Sequence, residues 1–343
     1  MPALLAPPRS PRRSPEVDLA ATRRQLLAGA GAFFALAACG APGQVAPPAA
    51  VTRTADGDFG PVTLPADPQR VLAGYDTDTD VALVLDLPLV GAPGARGSGD
   101  LPFPDYQPAD RLGGVQRVAT FLPEPNLEAM AALRPDCIID GAFGVQERYD
   151  ALTRIAPTMS YNTALYTDWR DGLLLVAQAF GREAKAQEFL DAYAARAAAL
   201  RPRVEERFPE RSAAVFYARD GGGVTIDVPS NQVLASMVDC GFTRAEVVPA
   251  SNEAGGAEVS LERLGDLAGV GVLVRTVDLR FGGAGPTTER DLEPYAPLAG
   301  SELWARVPAV AGGRLVDVPA ELGFPSPLTA LATLDFVEGT LLA

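Results

Sequence analysis

The 343-residue chain contains no histidine and a single lysine, Lys185. Without histidine there is no Ser-His-Asp or Cys-His nucleophile system, no histidine-ligated zinc and little haem ligation. The lysine lies inside a helical pattern, not behind a glycine-rich loop, which excludes a P-loop. Positive charge is scarce altogether: 29 Lys and Arg face 43 Asp and Glu, for a net charge of −14. Nothing here would neutralise nucleic-acid phosphates, so no nucleic-acid partner is expected. There are only three cysteines, and the apolar run at residues 26–38 is too short for a permanent membrane span. Paired carboxylates are the one common catalytic device that the composition leaves open.

What is present begins with export. Arg23 and Arg24 form a twin-arginine start, the run 26–38 has the build of a signal h-region, and small residues lead into Cys39 and Gly40. The order resembles a bacterial lipoprotein signal, with a buried N-terminal helix and a chance cysteine as the alternative. Residues 1–38 are therefore expected to be a signal peptide, and Cys39 the lipidated residue. Residues 39–60, rich in Ala, Pro, Gly and Thr, are expected to be a flexible tether. Export leaves two readings for Cys137 and Cys240: a disulfide clamping two halves of the molecule, or two separate buried thiols, the favoured reading.

The longest periodic element is residues 183–207, with apolar side chains at Ala186, Phe189, Leu190, Tyr193, Ala197, Leu200 and Val204. Steps of three and four make one stripe of an amphipathic helix about 37 Å long, with Pro202 set to disturb its last turns. It is read as a strut within an interlobe region, residues 168–208, between lobes at 61–167 and 209–343. A surface helix of one large domain is the alternative. Each lobe alternates short apolar runs with helical patterns, which predicts parallel strands in sheets covered on both faces. In the first lobe, Asn126 is expected to cap a helix that stops before Pro135 and leads into a buried strand at 137–139. The glycine-rich run 94–99 is read as a loop. In the second, Ser260 is expected to cap a helix, and a strand at 213–217 to end in a Gly221-Gly222-Gly223 loop.

Five segments carry a family resemblance: PNLEAMAALRPDCII at 125–139, LTRIAPT at 152–158, AFGREAKA at 179–186, VSLERL at 259–264 and LWARVPAVAGGRLVDV at 303–318. In this order they resemble the substrate-binding proteins of iron-siderophore and cobalamin ABC importers. The resemblance implies an α/β fold of two lobes joined by a single long helix, with the ligand cleft between them and little closure, because one rigid helix resists bending. It also implies a monomeric, non-catalytic receptor, held to the membrane by its lipid, that passes a ferric siderophore to an ABC importer permease with its ATPase. No cofactor of its own is expected, nor any metal-ligating side chain. A cobalamin or haem binder of the same fold is the runner-up, and an extracytoplasmic carboxylate-dependent enzyme a more distant one.

Ligands of open parallel α/β sheets collect beyond the carboxyl ends of the strands. That rule selects Tyr75, Phe121 and Phe143 on the first lobe and Tyr217, Arg219, Arg275, Arg280 and Phe281 on the second, with Trp169 and Phe324 as further candidates. Rings would cover the organic shell of a chelate, and guanidiniums, Arg219 and Arg275 in particular, would donate to its oxygens. For each ring the competing role is core packing, and for each arginine a solvated surface. By the resemblance, Glu147 and Glu262 are the residues expected to dock on the permease, with Glu128 and Glu258 as rivals. A carboxylate in a first helical turn also serves the helix alone.

Overall fold

The computed structural model describes residues 51–121, 124–141, 144–161, 168–219, 222–252, 255–277 and 295–343. The expected signal peptide, Cys39, Phe143, Arg280 and Phe281 lie outside them. The first described element corrects the last part of the expected tether, residues 52–60. Strand β1 (Thr52–Gly57) pairs antiparallel with β2 (Gly60–Pro65) in full register. Threonines at alternate positions favour an extended chain, and the Asp58 N–H donates to the Ser160 carbonyl at 3.0 Å, fixing the hairpin tip to the lobe.

The first lobe continues through β3 (Val71–Ala73), α1 (Asp76–Val84), β4 (Leu89–Ala92), α2 (Ala109–Leu112), β5 (Gln116–Arg117), α3 (Leu127–Ala132), β6 (Cys137–Asp140), α4 (Val145–Thr153) and β7 (Thr158–Ser160). Its five strands are ordered β5-β4-β3-β6-β7 and every pair is parallel, so all carboxyl ends meet at one edge. Asn126 caps α3 as expected, accepting from the Ala129 N–H.

Two helices then lead to the second lobe. In α5 (Trp169–Phe180) Asp168 caps the start, and Gly181 at φ +67 ends it in the left-handed conformation that glycine tolerates. The strut α6 spans Glu183–Arg207, and five residues of the predicted stripe, Ala186, Tyr193, Ala197, Leu200 and Val204, are buried, while Phe189 and Leu190 are part-buried. The helix runs on through Pro202 to Arg207.

The second lobe comprises β8 (Ser212–Ala218), β9 (Val224–Ile226), α7 (Gln232–Asp239), β10 (Thr243–Arg244), β11 (Ala257–Val259), a 3-10 helix (Leu261–Leu267), β12 (Val272–Val277), α8 (Tyr295–Ala299), α9 (Glu302–Ala305), α10 (Pro308–Ala311), β13 (Leu315–Pro319) and α11 (Pro327–Phe336). Strands β8, β12 and β13 are parallel, but β9 is antiparallel to β8 and β11 to β9, against the expectation of parallel pairing throughout. The glycine loop is the cause. It is closed by the Arg219 N–H donating to the Gly223 carbonyl at 2.9 Å, so the chain doubles back instead of crossing over. Ser260 precedes the 3-10 helix without capping it through its side chain.

Helix α11 packs against α7, α1 and α5. One hydrophobic core runs from Val71 and Ile139 by way of Trp169, Tyr193 and Leu200 to Phe216, Val274 and Leu334. A smaller cluster around Leu72, Met130 and Ile138 fills another part of the first lobe. Cys137 and Cys240 are both free and buried, and burial pushes the Cys240 thiol up to about 12 and that of Cys137 higher still. The fold is two α/β lobes joined by one long helix.

Candidate functional site

At the carboxyl edge of the first sheet the chain turns from β3 into α1 at Tyr75, whose extended backbone (φ −146, ψ 169) starts the helix. The Tyr75 ring meets Phe121 edge-on at 5.7 Å and Phe324 at 6.4 Å. Phe324 arrives from the far end of the chain, between β13 and α11. Three of the ten predicted ligand residues are thus brought together, all part-buried, as an aromatic floor.

Beneath the floor lies a charged network that sequence reasoning missed. Arg148 stacks over Phe121 at 5.2 Å, and Arg96 over Phe324 at 5.1 Å. Arg148 is bound to Asp140 through Nε at 2.9 Å and Nη2 at 2.7 Å, a planar two-point pairing. Arg96, with only 1% of its surface exposed, adopts φ +58, and its backbone N–H donates to Asp76 at 3.1 Å. Gly74 is required here because a Cβ would lie 2.5 Å from the Asp140 carboxyl carbon.

Helix α1 contributes Asp76, Asp78 and Asp80, all buried. Asp78 accepts from the Gly141 N–H at 2.9 Å and from the Tyr161 hydroxyl. Asp80 accepts from Gln107 Nε2 at 2.7 Å and from the Ser326 hydroxyl, which also caps α11. Burial raises all three carboxyls above their usual range: Asp76 to about 6, with the Arg96 N–H and guanidinium resisting the rise, and Asp78 and Asp80 well above their ordinary value. Burial likewise raises the Tyr75 phenol. Among the described residues no three acidic or cysteine side chains are grouped to hold a metal.

The second-lobe candidates stand apart from this floor. Tyr217 ends β8 with 36% of its surface exposed. Arg219 is ion-paired with Glu258. Arg275 is buried, bound to Asp317 through Nε at 2.8 Å, and covered by the Tyr295 ring at 3.7 Å. It shares a strand face with its register partner Phe216, the face closed by Trp304. Trp169 is 2% exposed and packs on Tyr193 and Phe189, so its ring serves the core beside the strut. Glu147 lies in the first turn of α4 and Glu262 in the first turn of the 3-10 helix, where a hydrogen bond from Ser260 and another from its own backbone lower its carboxyl.

One of the missed residues was within reach of the strand-end rule. Asp140 directly ends the apolar strand Cys137-Ile138-Ile139, whereas Arg148 lies within α4. Arg96 sat in a stretch read only as loop, and Ser326 is joined to Asp80 across 246 positions, a contact without local signal.

Two α/β lobes bridged by a single helix, with an aromatic cluster at the strand ends of the first, match the architecture of a substrate-binding protein. The chain belongs to the periplasmic binding protein family, whose model matches residues 107–322. It is 31% identical over 173 residues to the probable siderophore-binding lipoprotein YfiY of Bacillus subtilis, covering 48% of this chain and 52% of that protein. It is 27% identical over 195 residues to the ferric enterobactin-binding periplasmic protein FepB of Escherichia coli, covering 54% and 59%. The chain thus spans little more than half the length of these two curated relatives. Among solved structures, Staphylococcus aureus SirA complexed with staphyloferrin B superposes with a TM-score of 0.67 at 22% identity, covering 84% of this chain and 98% of that one. FhuD of Vibrio cholerae bound to Fe3+-Desferal gives 0.59 at 23%, covering 80% and 98%.

Proposed function

We propose that the chain is an extracytoplasmic receptor that captures a ferric siderophore and delivers it to the permease of an ABC importer. The carrying observation is the floor of Tyr75, Phe121 and Phe324 at the strand ends, a surface suited to the organic shell of a chelate. The names of the relatives support the same ligand class. In this reading the protein is anchored by lipid on Cys39, iron stays inside its chelator with no protein ligand, and Tyr217 faces the bound complex from the second lobe. The protein acts as a monomer and carries no cofactor. Titrating the apo protein with a panel of ferric chelates while following Tyr and Trp fluorescence tests it. Saturable quenching at micromolar or lower concentration is expected, and a flat response to every chelate would refute the receptor role. Chelator-free Fe(III) should not bind, and palmitate labelling should disappear in Cys39→Ala.

Delivery is assigned to Glu147 and Glu262, each in a first helical turn on a different lobe. Rim charges govern encounter and register more than fold. Glu147→Ala combined with Glu262→Ala should therefore leave chelate affinity and melting temperature unchanged but abolish uptake in cells. Normal uptake by the double variant would remove the docking assignment.

A further inference from the structure

We infer that Asp80, Ser326 and Thr329 are positioning residues. They hold Phe324 of the second lobe in the aromatic floor of the first, through one buried chain of hydrogen bonds that crosses between the lobes. The inference rests on the receptor reading for what the floor binds, and adds the residues that set the floor's shape. Phe324 meets the first lobe through the Tyr75 ring at 6.4 Å and the Arg96 guanidinium at 5.1 Å. Those ring contacts are modest, and the directional hold on this segment lies in its hydrogen bonds.

The chain starts in the first lobe, on the loop before α2. Gln107 Nε2 donates to Asp80 Oδ1 at 2.7 Å and to the Asp76 carbonyl at 3.2 Å. The other Asp80 oxygen accepts from the Ser326 hydroxyl, and there the chain passes into the second lobe. Ser326 and Thr329 are joined by two further bonds: the Ser326 N–H donates to Thr329 Oγ1 at 3.1 Å, and the Thr329 N–H to Ser326 Oγ at 3.2 Å. The Thr329 hydroxyl then donates to the Phe324 carbonyl at 2.7 Å. A hydroxyl has one hydrogen to give, so that of Ser326 goes to the first lobe and that of Thr329 to the floor segment.

Capping of α11 accounts for only part of this. A cap and its box need the two bonds between Ser326 and Thr329, and neither the Asp80 carboxyl nor the Phe324 carbonyl takes part in them. The two bonds beyond the cap are the ones that tie α11 to α1 and to the floor. Asp80, Ser326 and Thr329 are all fully buried, where water cannot stand in for a lost partner. Cutting the chain at either end therefore releases the same object, the Phe324 segment.

The test cuts it on both sides of the cap, with Asp80→Ala in the first lobe and Thr329→Val in the second, and leaves Ser326 in place. The first readout needs no ligand. Hydrogen exchange at residues 321–326 should speed up about tenfold in Asp80→Ala, although the substitution lies in the other lobe, while β13 keeps its parent rate. The second readout is fluorescence quenching at pH 7.5 by ferrichrome, ferrioxamine B and ferric enterobactin, taking whichever binds the parent protein most tightly. Each variant should weaken its Kd by about tenfold, and the double variant by no more than the weaker-binding single, because both cut one chain. Asp80→Asn, whose amide can accept from Gln107 and donate to Ser326, should restore most of the loss. Leu200→Ala, which destabilises the core away from the chain, should keep the parent Kd. Parent exchange rates at 321–326 in both variants would overturn the inference. So would faster exchange with an unchanged Kd, or losses in Kd that simply add. If none of the three chelates binds the parent protein, the receptor reading loses its support on this panel, and the exchange rates alone decide whether the chain holds the segment.

Discussion

Arg148 and Asp140 are the residue pair on which the first-lobe floor depends. Both are buried, so their energetics are asymmetric: the intact pair offsets its own desolvation, but removing one partner strands a charge in a low-dielectric site. Asp140→Ala should cost about 3–5 kcal/mol in denaturant unfolding, because Arg148 cannot reach water from beneath Phe121. Replacing both, as Asp140→Ala with Arg148→Met, should recover most of that loss. A double variant no more stable than the single would show that lost packing, not the orphaned charge, was responsible. The same pair shows what a sequence does and does not reveal at this scale. Tyr75, Phe121 and Phe324 could be selected because each follows a strand, and a strand end is a local property. That their rings touch, and that Arg96 and Arg148 lie behind them, depends on side chains from separate loops meeting only in the folded lobe. Arg219 and Arg275 obeyed the same positional rule, yet each met an acidic neighbour in the sheet or on the next strand, Glu258 and Asp317.

Among elements, the strut was the most legible. Its bounds and most of its stripe follow from spacing within 25 residues, and its joining role from the family resemblance. Strand direction in the second sheet was less so, because β9 departs from the parallel pattern through a turn whose closure is a backbone hydrogen bond. Two kinds of contact hold the strut in place, and their sizes differ. Lys185 bridges to Asp86 at 2.6 Å, but both side chains are nearly half exposed, and such a pair contributes about 0–1 kcal/mol. Leu200 is 3% exposed within the shared core, and shortening it to alanine should cost about 2–5 kcal/mol. Between these stands Tyr193, whose hydroxyl meets Asp239 at 2.8 Å and Ser236 at 3.0 Å, tying the strut to α7 beside the Arg170 ion pair. Lys185→Ala should accordingly shift the denaturation midpoint little, and Leu200→Ala a great deal. The reverse ranking would mean that the chain's single lysine, not the core stripe, fixes the strut.

At the scale of the whole molecule, buried acids make stability depend on pH in an unusual direction. Most carboxylates in folded proteins are favoured in ionised form, and stability is then lost on acidification. Here Asp76 is raised from 3.8 to about 6, and Asp78 and Asp80 rise with it, because each is taken out of water faster than its hydrogen bonds compensate. A carboxyl that binds its proton more tightly in the folded state than in the unfolded chain draws protons toward the native form. Its contribution is most favourable below about 4 and is lost as pH rises through about 6. Opposing groups exist: Asp86, Glu262 and Glu338 are lowered by their partners, and their stabilisation is lost only as pH falls below the unfolded value near 4. They are exposed and screened, so they weigh little between pH 5 and 7.5. Relief of self-repulsion in a chain at −14 adds to the same trend. The melting temperature at constant ionic strength should therefore rise by several degrees between pH 7.5 and pH 5, with Asp76→Asn flattening part of the slope by removing one titrating group. A melting temperature that is flat or falls toward pH 5 would mean that solvent reaches these carboxyls in the folded protein, and that the floor above them is more open than its packing implies.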